Sequence, residues 1–391
     1  MGRLPDSRAV FVPFALPGEL VRLRIVEEKR GHARAELLEV LEPSDLRIPA
    51  PCRHFGICGG CQYQHISYPD QIKMKAQILR EQLQRIGRIK EPPVETTRPS
   101  PEPWHYRNFV QFHLTEDGSL GYYQAGGRQI FQVEECWLAE NVLEELRTQL
   151  KFDNFPEIKR VGLRAGDEDE LQIILESHSL ETPEVTVEDL DVSLVHISPA
   201  GRLVLAGSQA IYYRILNRMF RVTAGSFFQV NTAMAEAIVK YVVAEAEPFP
   251  GMNILDVYCG VGLFSAFLAQ YARKLIGIEV STSAGEDFEY NLDDFDNVEL
   301  YEASAELVLP LLNFKPDLIV VDPPRAGLGR RAIDSLLKTR ADRLIYVSCD
   351  PATLARDARR LVTGGYHLIK VTPFDLFPQT YSIESISVWE Y

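Results

Sequence analysis

Cys349 occupies a position typical of a nucleophile in an α/β enzyme. The segment Leu344–Val347 has the apolar character of a buried strand, and a helix is predicted from about Ala352 to Leu361. Cys349 therefore follows the carboxyl end of a strand, which is where ligands bind in open α/β sheets. The alternative is a small structural residue, because free cysteine is among the most buried residue types.

A glycine turn after another apolar strand predicts a nucleoside-binding site. Gly260 and Gly262 would let the backbone approach a ligand closely, and the next strand ends in Glu279, 19 residues after Gly260. Rossmann-like sheets place such a carboxylate on ribose hydroxyls. Because the third glycine of the dinucleotide fingerprint is missing, the pattern favours S-adenosylmethionine over NAD.

Asp322 ends another apolar strand and precedes two prolines, in the sequence Asp-Pro-Pro-Arg. The prolines would stiffen this loop and hold Asp322 at the carboxyl edge of the sheet. At that edge the methyl group of the cofactor and the substrate would meet. A purely structural Asp-Pro turn is the alternative.

A cysteine, a methyl donor and an acidic loop in one crevice favour methylation of C5 of a uracil. This carbon is weakly nucleophilic, but a thiolate that adds to C6 converts C5 into an enolate carbon that can accept a methyl group. A base must then remove the C5 proton so that the thiolate can leave. Cys349 is the predicted nucleophile. Glu384, in an otherwise apolar segment, is the predicted base, with a surface acid on an edge strand as the alternative.

A second group of residues that could do chemistry is a set of cysteines in the N-terminal half. The spacing C-x5-C-x2-C is formed by Cys52, Cys58 and Cys61, and the best candidate for a fourth ligand is Cys136. Four thiolates suit either Zn²⁺ or an iron–sulfur cluster, and the uneven three-plus-one arrangement favours [4Fe–4S]. His54 and His65 are alternative ligands.

Composition narrows the class of protein. The chain has 391 residues, enough for two or three domains, and a net charge of −14. This charge argues against a protein that coats nucleic acid non-specifically, although a local basic groove is compatible with it. Because no run approaches about 18 apolar residues and the start lacks an apolar signal core, we expect a cytoplasmic protein without a membrane span.

The elements that must position these residues suggest three domains. Residues 1–48 have the strands of a small β module with arginines along one face, and resemble an OB-like TRAM domain whose first strand is truncated. Residues 49–220 carry the cysteines and a β-rich central domain, and their helix, predicted over residues 71–86, is a candidate for packing on the catalytic domain. Residues 221–391 have the alternating strands and helices of the catalytic domain.

The chain as a whole resembles the bacterial RNA (uracil-5-)-methyltransferase family, specifically its iron–sulfur ribosomal RNA branch. The motifs that carry the resemblance are the TRAM-like start, the four cysteines, Phe-Phe-Gln-Val-Asn, Asp-x-Tyr-Cys-Gly-Val-Gly, Asp-Pro-Pro-Arg-x-Gly and Ser-Cys-Asp-Pro-x-Thr-Leu-Ala-Arg-Asp. The resemblance implies an α/β protein: a Rossmann-like class I methyltransferase domain, preceded by the TRAM barrel and a β-rich domain that holds a [4Fe–4S] cluster on those cysteines.

By position, the family also implies roles for individual residues. Cys349 would be the nucleophile and Glu384 the base, although Ser382 stands where the family usually has a histidine. The residues expected to line the S-adenosylmethionine site are Gln229, Tyr258, Glu279 and Asp322. The expected substrate is a flipped uridine in single-stranded or unfolded 23S ribosomal RNA, bound by a monomer. Transfer RNA is the alternative substrate, and a non-catalytic iron–sulfur RNA-binding factor is the alternative function.

Overall fold

The computed structural model describes residues 2–4, 6–152, 157–185 and 190–391. Up to residue 223 its elements are β1 (Gly2–Arg3), β2 (Ala9–Phe11), β3 (Leu20–Glu28), β4 (His32–Glu42), α1 (Tyr68–Arg85), β5 (Phe109–Leu114), β6 (Leu120–Tyr123), β7 (Ile130–Gln132), α2 (Asn141–Gln149), β8 (Ile158–Ala165), β9 (Leu171–Ser177), β10 (Ser193–Ser198), β11 (Gly201–Ala206), β12 (Ala210–Ile215) and β13 (Arg218–Thr223).

The elements of the C-terminal domain follow. They are α3 (Thr232–Ala246), β14 (Met252–Val257), α4 (Ser265–Leu268), β15 (Ala272–Glu279), α5 (Thr282–Asn291), β16 (Val298–Glu302), α6 (Ala305–Val308), β17 (Leu318–Val321), α7 (Arg330–Thr339), β18 (Arg343–Ser348), α8 (Pro351–Thr363), β19 (His367–Phe374) and β20 (Glu384–Glu390). Single 3-10 turns lie at Asp167–Asp169 and Ala269–Tyr271.

Strands β1 to β4 form a four-stranded sheet in the order β1-β2-β4-β3. Its small core contains Val10, Ala33 and Ala35. The arginines that the sequence placed along one strand face are paired with acids of the neighbouring strand. Arg22 contacts Glu39 at 2.6 Å and Arg24 contacts Glu36 at 2.5 Å, so this face is not an open basic patch.

The central domain is built on a seven-stranded sheet in the order β11-β10-β9-β8-β5-β6-β7. Helix α2 covers it through Leu143, which packs in the same core cluster as Phe112, Val161 and Leu163. The cysteine-bearing loop, residues 52–61, meets this sheet at its edge, where Cys58 forms a β-bridge with Gln124.

The C-terminal sheet has the order β16-β15-β14-β17-β18-β20-β19. The strands from β16 to β18 run parallel, whereas β20 lies antiparallel between β18 and β19. Strand β17, Leu318–Val321, is fully buried because helices cover both faces of the sheet. The structure therefore confirms the predicted Rossmann-like domain.

Helix α1 packs on the C-terminal domain. Leu79 and Leu83 are fully buried in one cluster with Leu354 and Leu361 of α8. The helix begins three residues before the predicted start because Ser67 and Pro69 form its N-terminus. Within the described part of the chain, no helix is long and apolar enough to cross a membrane.

Candidate active site and cysteine cavity

Cys349 lies in the short turn between β18 and α8. Asp350 caps α8, and its Oδ1 accepts hydrogen bonds from the backbone N–H groups of Ala352 at 3.0 Å and Thr353 at 2.8 Å. The Ser348 hydroxyl accepts a hydrogen bond from the Asp350 N–H at 3.3 Å. The Ser-Cys-Asp-Pro sequence therefore forms a rigid strand-to-helix turn that presents Cys349 at the carboxyl edge of the sheet.

Glu384 is the first residue of β20 and is only 4% exposed. Because β20 is flanked by β18 and β19, the alternative of a surface acid on an edge strand is wrong. The antiparallel register pairs Ser348 with Ser385, so Cys349 and Glu384 come opposite each other one step further. Burial raises the pKa of Glu384 well above its usual value; the nearby charge of Asp322 adds to this, and Arg325 opposes it.

The thiol of Cys349 has an acidic environment. Its pKa is raised to about 12, mainly by burial and in addition by the charges of Glu384 and Asp322, while Arg325 acts in the opposite direction. Burial raises the pKa of Asp322 as well, to about 7, with a contribution from Asp256. A cation that enters this site would be stabilised by these carboxylates and would lower the pKa of the thiol.

A cavity of about 590 Å³ lies outside the carboxyl ends of β14, β15 and β16. Both oxygens of Glu279 face backbone donors: Oε2 accepts from Gly260 at 3.0 Å, and Oε1 accepts from Val280 and Ser281 at 2.8 Å each. These bonds fix the carboxylate at the rim of the cavity and leave one lone-pair site, on Oε2, to accept a hydrogen bond from a ribose hydroxyl.

Tyr258 lines the same cavity and has a positive φ of 64°. Its hydroxyl donates to Glu306 Oε1 at 3.4 Å. Glu306 also lines the cavity, and the sequence analysis did not single it out. The sequence does contain a signal for this position: β16 ends at Glu302, and as the fifth parallel strand it must end at the same edge of the sheet as the other four.

Gln229 and Asp322 are not among the residues that line this cavity. Gln229 is buried in the loop before α3, where its backbone oxygen accepts a hydrogen bond from the Asn108 side chain at 3.1 Å. The backbone N–H of Asp322 donates to Val257 at 3.2 Å, next to the glycine turn. Because the charge of Asp322 acts on the pKa of both Cys349 and Glu384, this carboxylate lies on the side of the crevice that holds these two residues.

Asp256 is a fully buried acid beneath the glycine turn. Its Oδ2 accepts a hydrogen bond from the Ser265 hydroxyl at 2.6 Å, and Oδ1 has no partner among the described residues. Burial raises the pKa of Asp256 to about 7. Cys259, in the same turn, belongs to the apolar core.

The four cysteines of the N-terminal half line one cavity of about 340 Å³, together with His54 and Arg107. Burial raises the pKa of Cys58 to about 11 and that of Cys61 to about 12. His65 lies outside this cavity and packs against Phe55. Across residues 2–4, 6–152, 157–185 and 190–391, no three His, Cys, Asp or Glu side chains are arranged to hold a single metal ion.

Relatives of this chain are found over its whole length. The sequence model described as tRNA (Uracil-5-)-methyltransferase matches residues 176–390, and the TRAM domain model matches residues 1–38. An uncharacterized RNA methyltransferase of Aquifex aeolicus is 39% identical over 406 residues, covering 98% of this chain and 94% of that protein. Another, from Halalkalibacterium halodurans, is 34% identical over 429 residues, covering 98% and 93%.

The chain belongs to the tRNA (uracil-5-)-methyltransferase family. This is a family of S-adenosylmethionine-dependent RNA methyltransferases, so the predicted family, enzyme class, methyl donor and RNA substrate are confirmed, as is the TRAM domain. The crystal structure of Pyrococcus abyssi tRNA (uracil-54, C5)-methyltransferase in complex with S-adenosyl-L-homocysteine aligns with a TM-score of 0.78 at 26% identity, covering 99% of this chain and 98% of that one. The fold of this methyltransferase is therefore the class I fold.

Proposed function

We propose that this methyltransferase forms 5-methyluridine in 23S ribosomal RNA by covalent catalysis. The observation that carries the proposal is the pairing of Ser348 with Ser385, which brings Cys349 and Glu384 together at one edge of the sheet. A nucleophile and a base at adjacent positions are what C5 methylation of uracil requires.

In this mechanism the thiol of Cys349 loses its proton to solvent and its sulfur forms a bond to C6 of the flipped uracil, while the electrons of the C5–C6 double bond move into an enolate. S-adenosylmethionine, when bound, supplies an electrophilic methyl group to C5. Glu384 then removes the C5 proton, the electrons of that C–H bond re-form the C5–C6 double bond, and the thiolate leaves. The high pKa of Glu384 makes its carboxylate a strong base for this last step.

Four residues would hold the methyl donor: Gln229, Tyr258, Glu279 and Asp322. Glu279 supports this assignment, because its carboxylate is fixed by three backbone N–H groups at the rim of the cavity. Asp322 suits a positively charged donor, because its carboxylate lies in an acidic cluster that a cation would stabilise.

The cysteine cavity supports the proposal of a [4Fe–4S] cluster held by Cys52, Cys58, Cys61 and Cys136. All four thiols line one cavity although Cys136 is distant in sequence. The role of the cluster is to maintain structure or to fold RNA rather than to transfer electrons. We place the enzyme in the cytoplasm as a monomer.

Ribosomal RNA is proposed as the substrate because the chain combines a TRAM domain with the three-plus-one cysteine set. The main alternative is transfer RNA, favoured by the full-length structural similarity to the Pyrococcus abyssi tRNA (uracil-54, C5)-methyltransferase.

Trapping with 5-fluorouridine RNA tests both reaction and substrate. Fluorine at C5 cannot leave as a proton does, so the covalent adduct is arrested after methyl transfer. We expect a denaturation-resistant complex with substituted ribosomal RNA that is lost in Cys349→Ala. A complex with transfer RNA alone would overturn the substrate. No complex with either RNA, from protein that binds S-adenosylmethionine, would favour the non-catalytic RNA-binding factor.

A further inference from the structure

We propose that Gln71, Lys75 and Tyr106 are positioning residues for Glu384, although they lie outside the catalytic domain. They hold the segment Asp375–Tyr381, here called the base segment, which connects β19 to Glu384 through two further residues. This inference rests on the proposed role of Glu384 as the base.

The carbonyl groups of the base segment accept hydrogen bonds mainly from the N-terminal half of the chain. The Phe377 oxygen accepts from Lys75 Nζ at 3.0 Å, and the Pro378 oxygen accepts from the Tyr106 hydroxyl at 3.0 Å. The Gln379 oxygen accepts from two backbone N–H groups, those of residues 62 and 63, at 2.9 Å each. Three consecutive carbonyls are therefore fixed from outside the catalytic domain.

Gln71 makes the most extensive contact. Its Oε1 accepts from the backbone N–H of Gln379 at 3.0 Å, and its Nε2 donates to the Gln379 side chain at 2.8 Å. The same Nε2 donates to the backbone oxygens of Tyr63 and Ile66 at 3.1 and 2.9 Å. One fully buried amide thus joins α1, the loop before it and the base segment.

A buried ion pair anchors the start of the base segment. Lys75 Nζ lies 2.5 Å from Asp375 Oδ1, and both side chains are fully buried. A buried charge that loses its partner is strongly destabilising. The pair therefore specifies one position of α1 relative to the end of β19.

Gln379 shows that the base segment needs this support. It has a positive φ of 68° and is only 2% exposed. A residue other than glycine is strained at positive φ, and this backbone conformation persists only where the surrounding structure holds it. Without the Gln71 contacts, residue 379 would relax toward negative φ and the backbone leading to Glu384 would shift.

The same contacts connect the base to the cysteine loop. The two backbone N–H groups that hold the Gln379 oxygen belong to Gln62 and Tyr63, which directly follow Cys61. Gln62 also accepts a hydrogen bond from the Tyr381 N–H at 3.3 Å. The loop that presents the cysteines is therefore part of the scaffold that orients the base.

The inference predicts a defect in one chemical step. Gln71→Met keeps the length of the side chain but removes its four hydrogen bonds. The assay uses substrate RNA with tritium at C5 of uridine and S-adenosylmethionine with a labelled methyl group, in a single turnover. We expect methyl transfer near the wild-type rate, tritium release slowed roughly 10²-fold, as for a misplacement of about 1 Å, and a methylated covalent complex that accumulates.

Matched variants distinguish a positioning role of Gln71 from a general effect of the substitution on α1. Gln77→Met makes the same change on the exposed face of α1, where Gln77 bonds only to neighbouring helix residues, and should behave as wild type. Tyr106→Phe removes a single bond to the base segment and should slow tritium release to a smaller extent. It serves as the second test if Gln71→Met does not fold.

Two outcomes would overturn the inference: tritium release at the wild-type rate in both variants, or a slowing of methyl transfer and tritium release by the same factor. Failure of the proposed function gives a different result. In that case wild type releases no tritium, or Glu384→Gln leaves the release rate unchanged.

Discussion

Cys349 and Glu384 lie opposite each other at the ends of two antiparallel strands, since the register that pairs Ser348 with Ser385 continues by one step. The reversed final strand, β20, therefore brings the carboxylate to the edge at which the parallel strands end. Glu384 is buried and Cys349 is half-buried, and burial together with the charge of Asp322 raises the pKa of each.

The first prediction concerns the reactivity of Cys349 in the free enzyme. Because burial and the neighbouring acids raise its pKa to about 12, the thiolate fraction should grow about tenfold per pH unit across the neutral range. Alkylation of the Cys349 peptide by iodoacetamide, followed by mass spectrometry, should therefore rise steadily from pH 7 to 9. A plateau below pH 8 would show that the thiol is activated before substrate binds.

The second prediction concerns the buried acid beneath the glycine turn. The pKa of Asp256 is raised by burial from 3.8 to about 7. Because the pKa of Asp256 is higher in the folded than in the unfolded state, its contribution to the unfolding free energy is fully present below the pKa of the unfolded state. This contribution is lost as the pH rises through the pKa of the folded state, about 7. Between pH 5 and 8 the wild type should lose about 2–3 kcal/mol of unfolding free energy through this group. Asp256→Asn should reduce that loss in urea titrations; an unchanged loss would contradict the assignment.

The third prediction tests the ion pair of Lys75 and Asp375 by comparing the unfolding free energy of a single and a double variant. Lys75→Met leaves a buried carboxylate unpaired and should cost about 3–5 kcal/mol of unfolding free energy. Lys75→Met combined with Asp375→Leu removes both charges and should recover most of that loss. Equal stability of the single and double variants in urea unfolding would show that the pair does not act as a unit.

Local sequence patterns located the turn that carries Cys349 and the sheet edge at Glu279. Cys349 and Glu279 each follow a buried strand and precede a turn, so the chemistry of a few neighbouring residues specifies their place at the sheet edge. The sequence also predicted that Cys52, Cys58, Cys61 and Cys136 belong to one group, because of their three-plus-one spacing. In the structure these four cysteines are free thiols and line one cavity.

The features of the site that could not be predicted from the sequence depend on contacts between segments that are distant in the chain. Glu384 could be read as a surface acid because its burial requires β20 to insert between β18 and β19. The partnership of Lys75 with Asp375 joins residues 300 positions apart. No local periodicity encodes such contacts, since they follow from how whole elements pack.

The fourth prediction concerns the cysteine cavity. If its four thiols hold a [4Fe–4S] cluster, protein purified without oxygen should contain about four iron and four sulfide per chain. Cys58→Ser should lower the iron content and the visible absorbance of the cluster, whereas Cys349→Ala, in the separate active site, should leave both unchanged. One zinc per chain and no sulfide would identify a zinc site instead.

The fifth prediction concerns the paired arginines of the TRAM sheet, which contact Glu36 and Glu39 rather than solvent alone. RNA phosphates compete with Glu39 for the guanidinium of Arg22, whose side chain is 62% exposed. Glu39→Gln frees Arg22, so RNA affinity should increase at low salt, and the dependence of log K on log salt should steepen by about 0.7. Glu42→Gln makes the same change of charge on an exposed glutamate of the same strand, and therefore controls for net charge. If the two variants bind RNA alike at every salt concentration, this face of the TRAM domain does not contact RNA.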